Sequence, residues 1–158
     1  MEALVRLLVF LFAAFASLSA HATDIASCSE PSGKGYYPET GVIKKADSGW
    51  EDEKISSGIT KLTKNSGGEY DILFVDIRRE IISARADGGT VIPLSRGAKS
   101  FSVLVVYPGK TAEVYTFLEN TSGGLEYLHT LSRAGDEVFI TKASVMQGVC
   151  SYIHFDQL

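Results

Sequence analysis

The chain has 158 residues, 45% of them hydrophobic, with a formal net charge of −4 and an isoelectric point near 5.4. That length suits one domain with a sizeable core, and the apolar content with only four prolines argues against long disorder. The mild acidity leaves no excess of basic residues for the positive face that nucleic acid requires, so no nucleic-acid partner is expected.

Residues 1–22 read as a cleaved signal peptide. Arg6 gives a short basic start, residues 7–15 form an apolar core, and Ala20 and Ala22 put small residues at both specificity positions. Cleavage is therefore expected between Ala22 and Thr23. The apolar core falls far short of the ~20 residues needed to cross a bilayer, and no later stretch approaches that length. The mature chain is expected in the periplasm or secreted, without a membrane span and as a monomer.

Export exposes the two cysteines to an oxidising compartment, where Cys28 and Cys150 are expected to form a disulfide. Such a bridge would close a loop spanning most of the mature chain and tie its two ends together. The stretch Ile25-Ala26-Ser27-Cys28 also resembles a bacterial lipobox, which implies lipidation of Cys28 as the alternative. His21 and Asp24 separate it from the apolar core that a lipobox should follow directly.

Residues 23–56 read as an irregular segment packed on the domain. They carry Gly33, Gly35, Pro38, Gly41 and Gly49, all punctuation of turns and loops. Tyr36, Tyr37 and Trp50 are the aromatic residues here and form a candidate binding surface, since such rings anchor interfaces. They serve equally as a plug over a sheet edge. Asp47, Glu51, Asp52 and Glu53 read as a solvated acidic turn. The stretch 47–55 is either one helical turn or loop.

From residue 57 to 158 turn signals recur about every 8 to 13 residues, which is the spacing of an antiparallel β domain. Strands are expected over 58–64, 70–77, 80–86, 90–94, 125–131 and 144–155, with a short extension at 138–140. The clearest pair lies in 101–119. FSVLVVY is an almost unbroken apolar run, TAEVYTFLE alternates, and Pro108-Gly109 supplies the turn between them. The fold class is therefore all-β: a single antiparallel meander of about eight strands, closed or nearly closed into a small barrel. A two-sheet β-sandwich is the alternative.

Few residues carry chemistry. Leu125, Tyr127, His129 and Leu131 share one face of a strand, and Tyr115 and Phe117 share a face of another. Tyr115, Phe117, Tyr127 and His129 are thus candidate lining residues of a barrel lumen. His129 is either a hydrogen-bonded interior imidazole or, beside a carboxylate, an acid–base group. No nucleophile elbow, metal-ligand spacing or phosphate loop is present, so no catalytic set, metal site or cofactor is assigned.

In architecture the chain resembles small periplasmic β-barrel proteins with one disulfide, lysozyme inhibitors among them. The likeness rests on export, size, strand content and the two cysteines. It implies a non-enzymatic binding or inhibitor module whose partner is a protein, glycan or lipid of the cell envelope. Two other readings stand beside it: a lipocalin-like carrier of a small ligand, and an enzyme using His129.

Overall fold

Short apolar–polar alternations broken by Gly, Asn and Pro turns give ten strands and no α-helix among the described residues. The structure, a computed structural model, describes residues 22–75 and 78–158. Apart from Ala22, the expected signal peptide lies outside them. In order the strands are β1 (Thr23–Tyr37), β2 (Gly49–Lys54), β3 (Ile59–Lys64), β4 (Tyr70–Val75) and β5 (Ile81–Ser83). They continue with β6 (Thr90–Gly97), β7 (Ser100–Tyr107), β8 (Thr111–Glu119), β9 (Leu125–Arg133) and β10 (Lys142–Ile153).

All pair antiparallel in one sheet of order β5-β4-β3-β1-β10-β9-β8-β7-β6, curled into a half-barrel, with β2 attached to β1. The two-sheet sandwich is not formed. Two meanders, β3–β5 and β6–β10, flank β1. The β7–β8 hairpin turns at Pro108-Gly109, where Gly109 has a φ of 75° and Lys110 N–H donates to Tyr107 C=O at 3.0 Å. A positive φ at that position suits glycine best.

The segment read as irregular instead holds β1, the longest strand, and β2. Its turn-type residues mislead because β1 is crowded rather than loose. A Cβ at Gly33 would lie 2.0 Å from the carbonyl oxygen of Val145 on β10, so only glycine allows this approach of backbones. β1 pairs with β10 along most of its length on one edge. On the other edge it pairs first with β3 through Ser29, then with β2 from Ser32. The register shifts between Ser29 and Ser32, where Glu30 takes a φ of 50°. This irregularity bends β1 and lets one strand serve two partners. Residues 138–140, expected to extend a pairing, form no strand.

Cys28 and Cys150 face each other across β1 and β10 and form the disulfide, 122 residues apart in sequence. The free ends of the curled sheet meet around Arg85. Its Nε donates to Tyr70 C=O at 2.7 Å and its Nη2 to Val91 C=O at 3.2 Å, while the Tyr70 and Phe101 rings touch at 4.8 Å. Inside the curl, Ile25, Leu62, Ile72, Phe101, Val103, Phe117, Tyr127 and Ile153 pack into one apolar core. That core fills one end of the interior only.

Candidate functional site: a polar-floored cavity in the half-barrel

The strand register determines what fills the other end. Side chains on one face of a sheet fall in rows across strands. Phe117 on β8 stands opposite Tyr127 on β9, and their rings stack at 6.1 Å within the core. The next row pairs Tyr115 with His129, and His129 with Met146 on β10. Glu113, Leu131 and Ser144 follow, then Tyr107, Thr111, Arg133 and Lys142. The inner face thus turns from apolar to polar along the barrel axis. Where it turns polar the interior opens into a cavity of about 1010 Å³.

Two carboxylates organise its wall. Glu113 and His129 are nearly covered, with side chains 14% and 12% exposed, and Glu113 Oε2 lies 3.1 Å from His129 Nε2. The same oxygen accepts the Tyr115 hydroxyl at 2.6 Å, and the Tyr115 ring stacks on the imidazole at 4.4 Å. Burial pushes the Glu113 carboxyl up, but the hydrogen bonds from His129 and Tyr115 and the charge of Arg133 outweigh it and leave it below its ordinary value. Burial, with the adjoining Glu113 carboxylate, holds the Tyr115 hydroxyl far above its usual range.

Glu53 forms the second node. It lies over Gly35 on β1, where the missing side chain leaves it room. Its Oε1 accepts the Tyr37 hydroxyl and, at 2.7 Å, the ammonium of Lys142. Burial again pushes this carboxyl up, and the two donors overcome it, so it too sits below the ordinary value. The hydrogen bond to Glu53 raises the Tyr37 hydroxyl to about 12. Glu53 is therefore not part of a solvated acidic turn. Glu51 and Asp52 are exposed, whereas Glu53, on the same strand face as Glu51, is half-buried against Gly35, Tyr37 and Lys142.

Acid should weaken this arrangement. Both carboxyls are depressed in the folded state, so folded chain binds fewer protons than unfolded chain in the acid range. Their contribution is complete above the unfolded glutamate value of about 4.3 and is lost as pH falls through the folded values. The thermal midpoint is expected to drop below about pH 4.5, and less steeply in Glu113→Gln. A midpoint that rises on acidification contradicts the assignment.

Of the residues singled out from sequence, Tyr115, Tyr127 and His129 line the cavity. Phe117 does not reach it and is fully buried in the core behind it. Tyr127 forms the floor, its hydroxyl 3.4 Å from Thr60 Oγ1. The two neighbouring tyrosines part company because successive strand residues point to opposite faces. Tyr37 turns inward to Glu53, while Tyr36 points outward and packs against Trp50 on β2 at 5.3 Å. Trp50 remains 64% exposed. Glu53, Arg133 and Lys142 were not singled out as site residues by sequence. Alternation along β9 does place Arg133 on the face of His129, and that signal was available.

Among the described residues, no three His, Cys, Asp or Glu side chains gather as a metal-binding group. No helix there is long and apolar enough to cross a membrane. Comparison with protein-family models, with curated proteins and with solved structures finds no match for this chain.

Proposed function

We propose that this protein is an exported binding module of the cell envelope that receives a small molecule in the half-barrel cavity. The observation that carries this reading is the cavity itself. Its volume of about 1010 Å³ lies at the upper end of the range typical of ligand pockets, roughly 300–1,000 Å³. Its surface mixes apolar side chains with a few fixed polar groups, as such pockets do. The leader-like residues 1–22 and the Cys28–Cys150 bridge support an oxidising, periplasmic or secreted location.

A second reading, an enzyme using His129, is favoured by its contact with Glu113. It ranks lower because both groups already serve each other and Tyr115, which describes a fixed wall.

The test uses N-phenyl-1-naphthylamine, a neutral apolar fluorophore. The mature protein should bind it saturably at one site, and Leu131→Trp, which puts an indole into the cavity wall, should weaken binding at least severalfold while the far-ultraviolet dichroism is retained. Absence of saturable binding, or binding indifferent to Leu131→Trp, rules the cavity out as the ligand site.

A further inference from the structure

The polar end of the cavity contains a row of hydrogen-bond donors, three of which have no side-chain acceptor among the described residues. Tyr107 stands opposite Thr111, Thr111 opposite Arg133, and Arg133 opposite Lys142, all lining the cavity. Directly opposed residues on adjacent strands have Cβ atoms about 5 Å apart, so these groups form one continuous ledge. Lys142 is committed to Glu53 at 2.7 Å, and Lys110 nearby to Glu137 at 3.2 Å. The side chains of Tyr107, Thr111 and Arg133 make no hydrogen bond or ion pair among the described residues.

The hydrogen bonds that Glu53 and Glu113 accept come from Tyr37 and Lys142 and from Tyr115 and His129, not from Tyr107, Thr111 or Arg133. A half-buried guanidinium has lost part of its water, and Arg133 feels the charge of Glu113 without a hydrogen bond to it. Its planar fork matches an oxyanion held by two parallel hydrogen bonds. Tyr107 reinforces the match. Its hydroxyl, raised to about 12 by burial and by the charges of Glu113, Asp87 and Asp71, is a donor at neutral pH as any tyrosine is.

The cavity lining also includes apolar side chains: Ile55, Ile59 and Phe139 belong to it while remaining exposed, Phe139 by 79%. Exposed apolar side chains grouped at the mouth of a pocket mark a surface that a ligand covers.

We propose that the ligand is an amphipathic organic anion, its acidic head held by Arg133, Thr111 and Tyr107 and its apolar body lying against Ile55, Ile59 and Phe139. This rests on the cavity being the ligand site, and the experiment separates the two claims. Decanoate and decanol, which share a chain and differ in head group, displace N-phenyl-1-naphthylamine from the mature protein, with inorganic phosphate as a third competitor. Decanoate should compete about ten- to hundredfold better than decanol, the range expected for hydrogen bonds to a charged group. In Arg133→Gln that ratio should fall to near one, and in Tyr107→Phe, which keeps the ring, it should fall severalfold.

Equal competition by the two chains in the wild type overturns the anionic head. A ratio that survives Arg133→Gln overturns the anchor. Phosphate competing as well as decanoate overturns the amphipathic body. Fluorophore that fails to bind at all removes the cavity reading beneath them, and the proposal with it.

Discussion

Reducing the Cys28–Cys150 disulfide is expected to lower the free energy of unfolding by about 2–5 kcal/mol. The bridge joins residues 122 apart in sequence, so cutting it releases a large loop of the unfolded chain and favours that state. It also joins β1 to β10, the pair at the centre of the strand order, so the native sheet loses its clamp where the two meanders meet. Urea titrations of oxidised protein, of protein in dithiothreitol and of the Cys28→Ala, Cys150→Ala double variant should show this as a lower midpoint in the last two. Coincident midpoints would mean that sheet pairing and packing alone hold β1 to β10. Cys28 is buried and Cys150 packs against the core, so reduction should be slow without denaturant.

Phe117→Ala should be as damaging, at about 3–5 kcal/mol. Phe117 is fully buried and stacked on Tyr127 in the row that separates the apolar core from the polar cavity. Removing the ring loses its transfer energy and leaves a void that a stiff antiparallel sheet cannot close by collapse. Val145→Ala is the control. Val145 is 55% exposed on the outer face, and its loss should change stability by less than about 0.5 kcal/mol. Chemical denaturation of both variants measures the contrast. Equal effects would mean that Phe117 is not packed as described.

These two effects bear on how far the sequence speaks for itself. The alternation in 111–119 placed Glu113, Tyr115 and Phe117 on one face, and the register puts all three inside. The β7–β8 turn was legible because Pro and Gly have narrow backbone preferences, a local property. β1 was not legible, because its glycines answer to a strand more than a hundred residues away. Nothing near Gly33 in sequence announces that Val145 will press against it. β2 was hidden for a similar reason. GWEDEK has the composition of a solvated loop, and only the approach of Lys142 and Tyr37 makes an inward Glu53 tolerable. The cavity depends on the curl of the whole sheet, which no single stretch encodes. His129 could be read as interior or as acid–base group from its strand, whereas its partner Glu113 emerged only from the pairing of β8 with β9.

The central position of β1 and β10 has a consequence for how the polypeptide acquires its shape. If exported as proposed, threaded N-terminus first, the chain would deliver β1 early and the partner for β1's longer edge last. Until then a fifteen-residue ribbon holds a row of vacant amide and carbonyl groups, open to annealing with a neighbouring chain. Topologies dominated by such distant pairings mature in milliseconds to seconds rather than microseconds. Completion must therefore wait until β10 is available, and crowding during synthesis or export should harm yield more than it harms the finished molecule.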